Sequence, residues 1–307
     1  MPQSAPLISV AVIFRNARAT LPETLQSLGE NAGPGREFLF IDDGSTDSGA
    51  RLVEEFIKAR PDACRLITLP VGVGTAEATA IAFREARGEY LMRCDADDTL
   101  EPGALDTIAE TASRTGADLI AVPLLYDIRR PNGHRKQHIA AVSSLDLNDM
   151  PIDTVHFGLP NKLIRRSLVI ASDAMPFPGI DRWEDLGVVA RVLARKPTTA
   201  IVGRPLYRYI RRVGVTTLSS ADTEQILRDH IALAKRLDEW FTTHGLAKEY
   251  APFLLQLKFL AKVKLLRHRP RRLHQWQRTF PEVNSRIMQL RHIPLRYRLL
   301  FAAATRL

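Results

Sequence analysis

Three groups of acidic residues stand where an apolar run gives way to a polar one. Asp42 and Asp43 open DDGSTD directly after the run EFLFI, and Asp95, Asp97 and Asp98 form CDADD directly after EYLMR. Glu184 and Asp185 sit in RWEDLGVVARVL, where a helical pattern begins. Carboxylates crowded at the end of a buried strand oppose one another's ionisation and lose hydration, so a cation is the expected partner. A hard divalent ion, Mn2+ or Mg2+, is usually held by one or two carboxylates and completes its shell with water and substrate phosphates. That chemistry points to a nucleotide diphosphate ligand. The plainer alternatives are turns and caps: Asp42 to Asp47 as a turn, Asp98 or Thr99 starting a helix at Pro102, and Glu184 with Asp185 favouring a helix N-terminus through the macrodipole.

These acids need a scaffold that carries them to one place. Apolar runs at 7–14, 37–43, 64–69, 89–95 and 117–125 read as strands. Helical patterns lie between them near 48–60, 75–87 and 102–115. Another follows Thr20, where Glu23 three residues on completes a capping-box pattern, Pro22 suits a first turn, and Leu21, Leu25 and Leu28 form the apolar stripe. Continuously apolar strands alternating with helices argue for an α/β fold, a mostly parallel sheet covered on both sides. In such a sheet ligands bind outside the carboxyl ends of the strands, so the first two acidic groups would share one edge. Residues 126–153 lose periodicity and read as a surface excursion. A helix near 184–195 and a strand pair near 199–203 and 206–210 follow. Beyond Asp222 the pattern is helical: Ile226, Leu227, Ile231, Ala234, Leu237 and Phe241 recur at helix spacing, and helices are expected over 248–268 and 283–306, with breaks near Pro270, Pro281 and Pro294.

The motifs ISVAVIFRN (8–16), DDGSTD (42–47), GVGTAEATAIAFREARGEYLMRCDADD (72–98), NKLIRRSLV (161–169) and WEDLGVVARVL (183–193) together resemble, in order and spacing, the GT-A-fold glycosyltransferases of family 2. The resemblance covers residues 8 to about 215. It implies a Rossmann-like GT-A catalytic domain over 1–215, followed by a basic helical extension over 216–307. It implies that Asp42 or Asp43 recognises the uracil of a UDP-sugar, with Phe14 and Asn16 flanking the base. Asp95 and Ala96 would meet the nucleotide, Asp97 would be the principal metal ligand with Asp95 beside it, and Asp185, next to Glu184, would be the general base of an inverting transfer. Lys162, Arg208 and Arg211 fall in segments similar to the family's acceptor and diphosphate surroundings, and read more simply as solvated basic residues. The chain departs from the family at Ile13 and Arg15, where Pro and Tyr are usual, and at Thr79 and Ala80, where an Arg-Asn pair is usual. No QxxRW motif of processive synthases follows Asp185, so the implied transferase adds one sugar to a saccharide or lipid-linked acceptor in surface glycan assembly.

Composition narrows the alternatives. The 307 residues, 45% hydrophobic and 25% charged, exclude disorder and collagen-like repeats, and two cysteines make no disulfide framework or thiolate cage. GVGTAE lacks the third glycine of a dinucleotide-binding turn, and the eight histidines show no zinc spacing. No apolar run reaches the roughly 18 to 20 residues of a membrane span, so a cytoplasmic protein is expected. The net charge of +9 is uneven: residues 258–307 hold thirteen Lys and Arg against one acid, Glu282, while the rest of the chain is slightly acidic. Arginines mixed with leucines and aromatics in LLRHRPRRLHQWQR and IPLRYRLLFAAATRL suit an anionic membrane surface, the inner face of the cytoplasmic membrane. A helical subdomain packed on its own apolar face is the plainer reading. Nucleic acid is the competing partner and is not expected, since no recognised module accompanies the tail. A catalytically silent nucleotide-sugar binder and a basic nucleic-acid-binding protein are the alternatives from other classes.

Overall fold

A computed structural model of the chain describes residues 7–214, 223–268 and 273–305. Two compact units emerge, one formed by residues 1–143 with 157–215, the other by 144–156 with 216–307. The boundary expected between 215 and 216, and the break near Pro270, lie outside the described residues. The strands are β1 (Ile8–Phe14), β2 (Arg36–Asp42), β3 (Cys64–Thr68), β4 (Tyr90–Arg93), β5 (Thr99–Leu100), β6 (Leu119–Ala121), β7 (Leu124–Arg129), β8 (Arg135–Ala140), β9 (Lys162–Arg165), β10 (Thr199–Ile201) and β11 (Tyr207–Arg212). The helices are α1 (Leu21–Glu30), α2 (Gly49–Lys58), α3 (Thr75–Glu85), α4 (Ala104–Thr115), α5 (Thr154–Phe157), α6 (Arg166–Ala171), α7 (Glu184–Leu193), α8 (Thr223–Thr243), α9 (Ala251–His268), α10 (Leu273–Arg278) and α11 (Leu295–Ala304), with a 3-10 helix at Pro281–Gln289.

The first unit is built on a seven-stranded sheet of order β10-β6-β9-β4-β1-β2-β3. All neighbours are parallel except β9, which runs antiparallel to both β4 and β6. Strands β1 and β2 are buried almost throughout, which is why they read as continuous apolar runs. Because β1, β2 and β4 are parallel, their carboxyl ends, and the acids that follow, lie on one edge.

A smaller sheet of order β5-β11-β7-β8 joins elements that the sequence pattern separates differently. The run 117–125, expected as one strand, is two. It leaves the large sheet at Val122 and enters the small one at Leu124, with Pro123, which has no N–H to give a ladder, at the handover. Likewise 199–203 and 206–210 do not pair with each other: β10 joins β6 in the large sheet, β11 joins β5 and β7 in the small one. The stretch expected as a surface excursion contains the hairpin of β7 and β8. Its anchor is Asp127, with a side chain 0% exposed and paired with Arg129 (2.9 Å) and Arg135. Burial pushes this carboxyl up, but the two guanidinium groups outweigh burial and hold it below the usual range. The capping box at α1 does not form. Thr20 Oγ1 donates to the Ala17 carbonyl, and the Glu23 carboxylate pairs with Arg129 and Arg212 across to the small sheet.

In the second unit, α8 to α11 and the 3-10 helix surround a cluster of Leu227, Leu255, Phe259, Leu265, Trp276, Val283, Ile287 and Leu290. Lys262 is wholly buried at its margin, with Nζ 4.2 Å from the Trp276 ring centroid and donating to Asn284 Oδ1 at 2.6 Å. Burial lowers its ammonium to about 8. Between that value and the ordinary lysine range the unfolded chain holds a proton that the folded chain has released, so stability rises with pH there, while below about 8 the burial of charge is a constant cost. Lys262→Met should therefore raise the melting temperature at pH 7, by of order 1 to 3 kcal/mol in stability, with the gain shrinking as pH approaches 10. Thermal melts at both pH values test this, and an equal gain at each would contradict it.

Candidate active site

At the end of β2 the backbone turns through Asp42 and Asp43, both buried. Asp42 Oδ1 accepts the N–H of Ser45 (2.9 Å), and Asp43 accepts those of Val73 (2.6 Å) and Gly74 (3.2 Å), so the two carboxylates shape the 42–45 loop and tie it to the loop before α3. The approach is close: a Cβ on Gly44, which has a positive φ of 68°, would lie 2.5 Å from the Gly72 nitrogen. Phe14, buried, ends β1, and its carbonyl accepts the Asp43 N–H. Asn16 is exposed with a positive φ of 51°, and its Oδ1 accepts the Thr46 N–H at 2.7 Å, lacing the loop after β1 to DDGSTD. The Arg15 guanidinium lies against Gly72. Sequence reading did not single out Asp181, whose Oδ1 accepts the Ala76 N–H (2.9 Å) at the start of α3 and whose carboxylate fills the space where a Cβ on Gly74 would stand. Thr79 and Ala80 are buried along α3, and the Thr79 hydroxyl has no hydrogen-bond partner among the described residues.

At the end of β4 the three aspartates divide. Asp98 turns inward, fully buried, accepting the Ile210 N–H (2.7 Å) and the Tyr207 hydroxyl (2.8 Å) from β11. Burial and the charges of Asp95 and Asp97 push its carboxyl well above the usual range. It ties the two sheets together and starts no helix, since α4 begins at Ala104. Asp95 and Asp97 remain half-buried, with Ala96 buried between them. The Asp95 N–H donates to the same Tyr207 hydroxyl (3.0 Å), and its carboxylate meets Arg93 Nε at 2.8 Å. Asp97 has no such ion pair among the described residues. Arg212 donates to its backbone carbonyl (2.9 Å), and burial with the Asp95 charge raises its carboxyl to about 6.

Arg93 carries the link to the third acidic group. It is 7% exposed, and its other guanidinium nitrogen donates to Glu184 Oε1 at 2.9 Å. Glu184 and Asp185 open α7 after Trp183, which adopts a positive φ of 65°. Burial raises Glu184 to about 7, Asp185 adding to the effect and Arg93 opposing it. Asp185 is only partly covered, and its Oδ1 accepts the Leu186 N–H at 3.1 Å. Burial and the Asp95 charge raise its carboxyl, while Arg93 and Lys162 pull it down, so the four groups share one field. Lys162 is buried, not solvated, donating to the carbonyl of Gly158 (2.8 Å) and to Asn161 Oδ1 (2.9 Å). Arg208 pairs with Glu101 at 2.8 Å, and Arg211 is exposed, so Arg212 is the arginine of β11 that reaches the acidic cluster.

Among the described residues no three His, Cys, Asp or Glu gather as a metal cage. Asp95 and Asp97, two half-buried carboxylates two residues apart, fit the lesser task of holding a divalent ion on one side, because a nearby cation would offset both the burial and the Asp95 charge that raise Asp97.

Comparison with known proteins agrees with this architecture. The glycosyltransferase GlyG of Streptococcus pneumoniae is 23% identical over 221 residues, covering 68% of this chain and 72% of that protein. The crystal structure of S. aureus TarS 1-349 in complex with UDP-GlcNAc matches with a TM-score of 0.66 at 19% identity, covering 97% of this chain and 89% of that one. The mannosyltransferase PcManGT of Pyrobaculum calidifontis, in complex with GDP-Man and Mn2+, matches with a TM-score of 0.55 at 18% identity, covering 99% of this chain and 81% of that one. A family model described as glycosyl transferase family 2 matches residues 9–171, over half the chain. With a mostly parallel sheet flanked by helices and acids gathered at its carboxyl edge, the chain belongs to glycosyl transferase family 2 and is a glycosyltransferase of GT-A fold.

Proposed function

We propose that this glycosyltransferase performs a metal-dependent, inverting transfer of a single sugar from a UDP-sugar to a saccharide or lipid-linked acceptor in surface glycan assembly, at the inner face of the cytoplasmic membrane. The observation that carries the reading is the Arg93 bridge: one buried guanidinium holds Asp95, on the diphosphate side, and Glu184, on the acceptor side, in a single network beside Asp185. Asp185 takes the proton of the acceptor hydroxyl as that oxygen bonds to the anomeric carbon. The bond from that carbon to the diphosphate oxygen breaks on the opposite face, and UDP leaves with the electron pair. The raised carboxyl of Asp185 makes it a better proton acceptor than a solvated aspartate, while the charges of Arg93 and Lys162 oppose that rise. Mn2+ or Mg2+ held by Asp97 and Asp95 would neutralise charge growing on the UDP oxygens. Asp42 and Asp43 serve the base by fixing the 42–45 and 72–74 loops, leaving lone pairs for the uracil N–H, with Phe14 and Asn16 setting the loop opposite.

Calorimetric titration with UDP, in Mn2+ or in EDTA, tests the donor site. Metal-dependent binding is expected, and Asp97→Ala should weaken it by roughly tenfold or more in Mn2+ while leaving the EDTA titration unchanged. Equal loss in both buffers would remove Asp97 from the metal, and no UDP binding by the folded protein would favour a different donor or a silent site.

A further inference from the structure

Trp276 and Phe301 of the basic tail turn inward, while Tyr297 stays 43% exposed, which changes where an apolar surface is left. Trp276 is wholly buried, and Phe301 packs edge-on against Phe259 with centroids 5.2 Å apart. Phe301, Ala302 and Ala304 bring α11 onto the core of the second unit. Its outer side then carries Leu295, Leu299 and Leu300, which are 54%, 55% and 61% exposed. The i, i+4 spacing of Leu295 with Leu299, and of Arg296 with Leu300, places them on one side of the helix. Apart from Tyr297 on the same helix, the other large exposed apolar side chains among the described residues are mostly single. Arg296, lying over the Tyr297 ring, is on this face, Arg291 is exposed just before the helix, and no acid follows Glu282 in the sequence.

We propose that the outer face of α11 is a docking surface for an anionic lipid bilayer, with Leu295, Leu299 and Leu300 entering the headgroup boundary and Arg291 and Arg296 meeting the lipid phosphates. The combination selects this partner. Three leucines standing in water lose nothing by entering acyl chains and gain burial, whereas a phosphate backbone gives them no partner. A second copy across a two-fold axis would set arginine against arginine. No helix among the described residues is long and apolar enough to cross a membrane, so the surface lies on a bilayer and does not span it. This inference stands on the second unit alone and is independent of the donor and base assignments.

Vesicle co-sedimentation of the full chain tests it. Vesicles of phosphatidylcholine with phosphatidylglycerol should bind the protein, and phosphatidylcholine alone should bind it weakly. Leu295→Gln with Leu299→Gln, both at exposed positions, should lower binding by about tenfold or more with melting temperature unchanged. Arg291→Gln with Arg296→Gln should cost roughly fivefold per arginine and flatten the salt dependence. Failure of the unsubstituted protein to bind anionic vesicles would overturn the proposal. So would binding untouched by the leucine pair, or a dimer that the leucine pair dissociates, which would assign the face to a second copy. RNA binding that the arginine pair abolishes and the leucine pair spares would assign it to nucleic acid.

Discussion

Asp185→Asn should leave UDP titration within about twofold of the unsubstituted protein while transfer falls by roughly 10² to 10⁴, the range for a lost general base. Asn keeps the size of the side chain and the acceptor for the Leu186 N–H, so α7 should begin as before. What it lacks is a basic lone pair for the acceptor proton. The result also separates two adjacent acids. Glu184 is buried and occupied by Arg93, so Glu184→Gln should lower stability and alter the shape of the pH profile, leaving a larger share of turnover than Asp185→Asn. If Asp185→Asn turned over near normally and Glu184→Gln did not, the base would be Glu184 and the network would have to open for catalysis. Because the Asp185 carboxyl is raised by burial and by Asp95, activity of the unsubstituted enzyme should fall as pH drops through its titration and recover above it.

Much of this arrangement was legible from residue order because the relevant forces are local. Strands β1 and β2 are covered on both faces, so their sequences are apolar throughout, and parallel neighbours then put Asp42 and Asp95 on one edge without further information. What stayed hidden depends on residues distant in the chain. The antiparallel insertion of β9 between β4 and β6, and the passage of the chain from β6 to β7 at Pro123, follow from which edges remain open once the other strands have paired. Asp98 looked equivalent to Asp97 in the sequence, yet Tyr207 and Ile210, over a hundred residues on, draw it into the interior. Glu23 matched a capping box, but ion pairs with Arg129 and Arg212 hold it more strongly than the N–H of Thr20 would. One sign was present and unread: an arginine inside the apolar run EYLMRC must either break the strand or find buried acids.

That arginine gives the second large effect. Arg93→Leu should destabilise the protein by about 3 to 5 kcal/mol, the cost of leaving a buried partner charge uncompensated. The substitution conserves apolar bulk on β4, so the loss is electrostatic: Glu184 loses its donor and Asp95 its neighbour. The pH dependence identifies the cause. Glu184 is already raised to about 7 by burial and Asp185, and without Arg93 it should rise further. A carboxyl whose folded value lies above its unfolded value binds a proton on folding, so stability falls as pH climbs between the two values. The deficit of Arg93→Leu should therefore be greatest near pH 8 and shrink toward pH 5, where Glu184 is neutral in the folded state. Adding Glu184→Gln should recover a substantial part of the loss at pH 8 and little at pH 5, since an amide is the neutral form made permanent. A deficit of the same size at both pH values, with no recovery in the double variant, would mean that Arg93 supports β4 by packing and that Asp95 and Glu184 are held in place by other groups.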